Sequence, residues 1–484
     1  MDSKQDKGFF GQPKGLRTLF MTEFWERFSY YGMRAILLLY MFDKTMNGGL
    51  GFSEVTAASI MSIYGSLVYM SSVLGGFISD RLLGSRRTVF WGGVLIMFGH
   101  IVLALPFGAS ALYVSILLIT IGTGMLKPNI SEMVGGLYSP EDTRRDAGFS
   151  IFVLGINFGS LIAPLAVGYV QGAVNYHAGF SLAAIGMFFG LIFYVLDGKK
   201  NLHENSLKVP NPISAEEKSS VIKYIVIGVV VAAVIVGTMA FTNTLNIENI
   251  IWILSILGVM IPIIYFVIML KSNKVTKVEK SRVRAYILLF IAAVIFWAIE
   301  EQGSSVLALV AAKRTVLNFA GIHLQVPQFQ MLNPFFIVLY TPFFAWMWTK
   351  LGKKQPSSPT KFWLGLIFTG LSFLVLALPL ATPGKISPLW LVLSWALVMI
   401  GELLISPVGL SVTTKLAPKA FAAQMMSMWF LADAAGQAIN AQIVKFYEMS
   451  DVHYFAIIGV VVIVFAIVLA FLTPKIKPLM KGIN

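Results

Sequence analysis

Fourteen apolar stretches, each about as long as a bilayer is thick in helical terms, constrain this chain more than any other feature. They fall near 17–42, 55–80, 88–107, 111–137, 147–172 and 178–197, then 221–242 and 249–270, then 283–312, 330–349, 362–381, 388–414, 420–447 and 453–473. A helix crossing about 30 Å of hydrocarbon needs about 20 residues. Inside lipid each backbone polar group must be satisfied within the segment, so stretches of this length are predicted to be helices. They use up most of the 484 residues and leave no space for a long soluble domain. Asp, Glu, Lys and Arg make up 12% of the chain, about half the share a water-facing surface carries. The chain reads as an all-α, polytopic membrane protein.

Its net charge of +14 could point to nucleic acid, but the positions of the basic residues argue otherwise. An even number of spans puts both termini on one side. That side collects Lys4, Lys7, Lys14 and Arg17, then Arg81, Arg86 and Arg87, then Lys271, Lys274, Lys277, Lys280, Arg282 and Arg284. Lys350, Lys353, Lys354, Lys361, Lys475, Lys477 and Lys481 fall there too, against Lys44, Lys313, Arg314 and Lys385 opposite. By the positive-inside rule both termini are expected in the cytoplasm, and no nucleic-acid partner is expected. No cleavable signal peptide is expected, because the first apolar segment carries Glu23, Glu26, Arg27 and Arg34. With no cysteine, disulfides and Cys-ligated metals are excluded.

The middle pair of segments has no charged side chain from Ile225 to Thr242 or from Ile250 to Leu270. They are expected to face lipid as an accessory hairpin over 201–282, between six-helix bundles over 1–200 and 283–484. A weak repeat supports two halves. Ile121-Gly122 to Pro128 and Ile400-Gly401 to Pro407 share the pattern I-G-x5-P in the fourth helix of each half, and Leu83-Gly84 and Leu351-Gly352 each follow the second. Parallel repeats of this kind put a site at the interface of two halves.

A charge at the bilayer centre costs about 2.5–3.5 kcal/mol on insertion scales, so it faces an interior and implies function. Positions 23, 27, 30 and 34 of the first helix fall within about 60° of one another, with Glu26 on the flank. Lys127 precedes a proline in the fourth helix, Glu300 and Glu301 sit in the ninth apolar segment, and Glu402 lies one turn before Ser406-Pro407. A cavity lined by both signs suits a zwitterion and could pass protons. Asn157 and Asn333 add neutral donors and acceptors, with packing and ligand roles equally open for Asn157. Tyr30, Tyr31, Tyr69, Trp297 and Trp429 could line pockets, core packing being the blander reading. Asp433 has no obvious partner, and His100 is expected to make an interhelical hydrogen bond. P-loop, H-E-x-x-H, G-x-S-x-G and Rossmann glycine patterns are missing, so no enzyme is expected.

These residues carry a family resemblance. Glu23-Phe24-Trp25-Glu26-Arg27-Phe28-Ser29-Tyr30-Tyr31-Gly32 resembles the E-x-x-E-R-F-x-Y-Y-G signature of the proton-dependent oligopeptide transporters (POT/PTR), within the major facilitator superfamily. Gly75 to Gly84 resembles their segment after helix 2, and Phe149 to Ser160 their helix 5 motif. The short 382–388 loop resembles bacterial members, and helix 2 lacks the histidine of animal members. The resemblance implies a major facilitator fold of two six-helix bundles plus the hairpin, fourteen transmembrane helices in all. It implies proton coupling through Glu23, Glu26, Arg27, Lys127 and Glu402, and a gate salt bridge between Arg34 and Glu301. Substrate contacts are implied for Tyr30, Arg34, Tyr69, Lys127, Asn157, Trp297, Glu300, Asn333, Glu402, Ser406 and Trp429.

The expected function is a proton-coupled symporter importing di- and tripeptides across the cell membrane by alternating access. Peptide-like drugs are further expected substrates, the proton gradient replaces any cofactor, no metal is expected, and the unit is expected to be a monomer in the lipid bilayer. The rivals are a transporter of nitrate or another small anion, an intramembrane peptidase, and a receptor that binds peptide without moving it.

Overall fold

The computed structural model describes residues 8–483 apart from Pro140, Glu141, Thr143 and His203. Lys4 and Lys7 of the terminal basic cluster lie outside the described residues. The first half consists of α1 (Lys14–Phe42), α2 (Glu54–Ile78), α3 (Ser85–Ala104), α4 (Gly108–Gly135), α5 (Arg145–Ala173) and α6 (Tyr176–Asn201). The hairpin is α7 (Ala215–Phe241) and α8 (Ile247–Lys271). The second half consists of α9 (Lys277–Glu300), its short continuation α10 (Val306–Lys313), α11 (Leu332–Leu351), α12 (Ser358–Leu380), α13 (Leu389–Leu416), α14 (Ala422–Ile443) and α15 (Asp451–Leu479). Counting α9 and α10 as one span gives the fourteen expected helices among the described residues. Twelve of these are long and apolar enough to cross a membrane. The other two are α1, with its charged stripe, and α14, rich in polar residues. The exceptions are therefore informative: both owe their polarity to side chains that the two halves bury.

Short polar signals set the helix ends. Ser214 and Glu217 form a capping box at the start of α7, as do Thr276 and Glu279 at the start of α9. The ninth segment differs from the single helix expected over 283–312. It breaks into a 3-10 turn at Glu301–Ser304, where Gln302 bonds Asn440 at 3.1 Å and Tyr454 donates to Gln302 at 2.8 Å.

The repeat seen in sequence has a packing counterpart. In the first half, Gly122 of α4 packs against the backbone of Gly92 on α3; in the second, Gly401 of α13 packs against that of Gly365 on α12. Small residues at both crossings let backbones approach closely. The paired loop glycines also agree, Gly84 with φ +77° and Gly352 with φ +48°, left-handed values that β-carbon-bearing residues rarely adopt.

The hairpin is asymmetric. Among the described residues of α7 only Met239 is buried, the lipid-facing disposition expected. By contrast α8 packs on α14 and α2, with Gln442 donating to Ser255 at 2.9 Å. One face of the accessory pair therefore buttresses the contact between the halves. His100 also departs from expectation: it is fully buried and neither ring nitrogen has a hydrogen-bond partner among the described residues.

Contacts between the halves concentrate at the end remote from the termini. Ser59 and Ser66 of α2 donate to the carbonyls of Ala441 and Ala434 on α14, at 2.9 and 2.8 Å. Gly168 and Gly172 of α5 pack against Pro327 and Gln325 of the segment before α11. Lys313 pairs with Glu54 across the same face. The seam between halves is thus shut on the far side.

If the glycine crossings hold each half together, Gly122→Leu and Gly401→Leu should each destabilise the protein by about 1–3 kcal/mol through overpacking. Gly228→Leu and Gly237→Leu on α7, where an added side chain meets nothing within 4 Å, should leave the thermal midpoint unchanged. Equal Tm values for all four variants in detergent would overturn this account.

Candidate functional site

A cavity of about 420 Å³ lies between the halves, inside the far-side seam. Its first-half wall is built by Tyr31 and Arg34 of α1, Tyr69 of α2, and Asn157 and Ser160 of α5. Its second-half wall carries Trp297 and Glu300 of α9, Glu301 of the 3-10 turn, Asn333 of α11, and Glu402 and Ser406 of α13. Ten residues singled out from sequence therefore share one surface: Tyr31, Arg34, Tyr69, Asn157, Trp297, Glu300, Glu301, Asn333, Glu402 and Ser406. They come from six helices and the turn, so no local stretch of sequence forms the site alone.

Prolines interrupt two of the helices that line the cavity. Pro407 lies inside α13 and Pro342 inside α11; a proline removes one backbone hydrogen bond and bends the helix. Asn157 donates to the Val153 carbonyl of its own helix at 2.9 Å and is exposed to the cavity. The flanking glycines take the packing role instead. Gly155 meets the Phe20 ring, and Gly159 meets the Phe24 carbonyl and the Arg27 stem, which brings α5 against the charged face of α1.

Charges on the two walls are linked in three ways. Arg34 forms an ion pair with Glu301, joining the halves directly. Asn333 donates to Glu300, orienting that carboxylate within the second half. Arg27 pairs with Glu26 and, at 3.1 Å, with Glu23. This last cluster does not line the cavity: Glu23, Glu26 and Arg27 are 2%, 0% and 3% exposed behind it. One oxygen on each of these carboxylates and one guanidinium nitrogen lack a hydrogen-bond partner among the described residues.

Three further residues expected at the cavity stand just outside its lining. Tyr30 is buried, with its ring 5.3 Å from the Arg27 guanidinium carbon and 6.0 Å from that of Arg34; its neighbour Tyr31 takes the cavity wall. Trp429 is buried edge-on against Trp297, ring centres 6.4 Å apart, and rests on Gly409. Lys127 is half-buried with its ammonium 4.2 Å from the centre of the Tyr69 ring. Its charged neighbours are Arg27, Asp433, Glu26 and Glu23. Among the described residues no ion pair joins Lys127 to Glu402, although the family resemblance matches the two to a pair near the cavity; Glu402 has Glu301 as its charged neighbour.

Sequence reasoning missed Ser160, Ser304, Gln330, Thr341 and Trp395 on the cavity wall. Gln330 donates to the Gly303 carbonyl at 2.7 Å, tying the segment before α11 to the 3-10 turn. For Ser160 and Gln330, a spacing of about one turn from Asn157 and Asn333 was the available signal. The Lys313–Glu54 pair was missed because both residues sit at loop edges, where a charge is unremarkable in sequence. Among the described residues no group of three or more His, Cys, Asp and Glu side chains is arranged to hold a metal.

Comparison with known proteins agrees with this geometry. The chain is 56% identical over 485 residues to the uncharacterized transporter YclF of Bacillus subtilis (strain 168), covering 99% of this chain and 98% of that relative. It is 52% identical over 493 residues to a di-/tripeptide transporter of Lactococcus lactis subsp. lactis (strain IL1403), covering 100% and 99%. It superposes on the crystal structure of peptide transporter POT (a Glu-to-Gln mutant) in complex with alafosfalin with a TM-score of 0.94, at 54% identity and full coverage of both chains. The POT family (PTR2) model matches residues 86–461, and the chain belongs to the POT family.

Proposed function

We propose that this chain is a proton-coupled symporter that imports di- and tripeptides across the cytoplasmic membrane by alternating access. Like other members of its family it is a transporter, not an enzyme. The observation that carries the reading is the division of charge across the cavity, with Arg34 on one wall and Glu300, Glu301 and Glu402 on the other. A peptide is a zwitterion of matching polarity. Arg34 and Lys127 would receive its carboxylate, and Glu402, Asn157 and Asn333 its amino group. Tyr69, with Tyr30 behind it, would hydrogen-bond the backbone; Ser406, Trp297 and Trp429 would shape the side-chain pockets. Three cavity carboxylates count against a nitrate or other small-anion carrier. The alafosfalin complex of a relative supports peptide-like drugs as further substrates.

The proposed coupling follows from which charges are tied within a half and which across. Glu23 and Glu26 hold Arg27 inside α1. Proton uptake by a carboxylate weakens its hold on the guanidinium, because a neutral acid attracts a cation far less than an anion does. The Arg34–Glu301 pair would act as the gate on the extracellular side, and Lys127 and Glu402 would complete the coupling set. Both termini would be cytoplasmic, so the present arrangement is the one shut to the outside. The halves would be 1–200 and 283–484, with the hairpin over 201–282. The gradient alone would drive transport, with no cofactor, in a monomer.

Two experiments test this. In liposomes with an inward proton gradient, the purified protein should accumulate labelled dialanine above equilibrium, and a protonophore should abolish the accumulation. Glu23→Gln should lose at least about tenfold in accumulation, equivalent to about 1.4 kcal/mol, while peptide exchange without a gradient persists. Unimpaired accumulation by that variant would remove Glu23 from the coupling set.

The gate can be read directly because the chain has no native cysteine. Spin labels on Met46→Cys and Ile322→Cys, exposed far-side positions in opposite halves, should report one short distance in the parent. Breaking a buried ion pair costs about 3–5 kcal/mol, so adding Glu301→Gln should give a longer, broader distribution. An unchanged distribution would show that the pair does not hold the far side shut.

A further inference from the structure

Asp433 on α14 is a deeply buried acid of the second half for which the cavity provides no role. It is 3% exposed, and Gln437 one turn later donates to it at 2.7 Å. Its position in the seam between halves is informative. Running inward from the far side, α2 meets α14 at Ser59 with Ala441, at Gly65 with Gln437, and at Ser66 with Ala434. The next inward-facing residue of α2 is Tyr69, one turn on from Gly65, and it interacts with Asp433. Beyond it α2 turns to its own half: Ser71 bonds the Thr120 carbonyl at 2.8 Å, and Gly75 packs on Gly124. Tyr69 and Asp433 therefore form the last rung of the seam before the halves diverge toward the terminal side.

Lys127 occupies that same rung. Its ammonium lies over the face of the Tyr69 ring, and Asp433 is its charged neighbour from the opposite half. Building on the symporter reading, we infer that Asp433 is the cross-half counter-charge that positions Lys127 while the far side is shut. The acid acts through the lysine and touches no substrate. The lysine exchanges this partner for Glu402 or for a peptide carboxylate as the terminal side closes, so Asp433 sets how readily Lys127 is released.

The groups facing Asp433 are limited. Tyr69 and Lys127 approach from the first half, and Glu301 and Glu300 from the turn and α9. Arg34 is held by Glu301, and Glu402 on α13 faces Glu301 instead. The α8 helix, also packed on α14, has no charged side chain from Ile250 to Leu270. Lys127 is thus the cation that Asp433 is placed to serve.

The test separates charge from packing. Asp433→Asn keeps an oxygen to accept from Gln437 but removes the charge, whereas Asp433→Glu keeps the charge. The asparagine variant should stay folded and exchange peptide within about twofold of the parent, with a lower KM because Lys127 is freed for the substrate. Its proton-driven accumulation should fall about tenfold and its pH profile should move, and the glutamate variant should recover part of both. A double-mutant cycle on thermal stability, pairing Asp433→Asn with Lys127→Gln, needs no transport and should be clearly non-additive. Additive Tm changes, or an asparagine variant with the parent's accumulation and pH profile, would overturn the inference. So would loss of exchange and accumulation together in both Asp433 variants, which marks a structural role. Non-additivity in a parent that fails to accumulate peptide would keep the pairing and reject the symporter reading.

Discussion

The cost of holding charge in hydrocarbon governs this structure. Each ionised side chain at mid-membrane costs about 2.5–3.5 kcal/mol on insertion scales, and removing one member of a buried pair costs about 3–5 kcal/mol. With Glu23, Glu26, Arg27 and Arg34 on one helix, α1 cannot face lipid and must be enclosed by other helices. Its packing against α5 and α6 follows, as does the need for Gly159, since any side chain there would strike the Phe24 carbonyl.

The charges divide by where their partners lie. Arg27 is paired within α1 with residues one and four positions away, so its pairing survives any rigid movement of one half against the other. Arg34 is paired from the second half, as is Glu54 by Lys313. Those pairs exist only while the far side is shut. A cluster tied within one half can register protonation without opening the seam, whereas pairs across the seam report its closure. Both kinds lie on a single helix, seven residues apart, with the Tyr30 ring between Arg27 and Arg34.

Much of this was legible in sequence for a physical reason. Hydrophobic length marks spans because the bilayer has a fixed thickness, and intramembrane charge marks an interior because lipid excludes it. That logic located the fourteen helices, the repeat at Gly122 and Gly401, and ten cavity residues. It could not see features that depend on the angle of one helix to another. The choice between Tyr30 and Tyr31 turns on a 100° rotation. The break at Glu301–Ser304 lies in a stretch that stays apolar on both sides. Lys127 and Asp433 are more than 300 positions apart, and only assembled halves bring them to one rung. Gly155 and Gly159 illustrate the reverse, since two small residues four positions apart favour a close helix contact, and the structure contains that contact.

The seam between the halves is built to come apart. Its contacts along α2 and α14 are serine hydroxyls on backbone carbonyls and small residues in close approach. Side-chain hydrogen bonds between membrane helices are worth only about 0.6 kcal/mol on average. Moving a two-state equilibrium from 1:99 to 99:1 takes about 5.5 kcal/mol of differential binding. A large interlocked apolar interface would exceed what a small ligand can supply. A seam of weak polar rungs, closed by the Arg34–Glu301 and Lys313–Glu54 pairs, stays within reach of it. The cavity lies directly against Arg34 and Glu301, so a ligand inside it would meet the charges that close the seam.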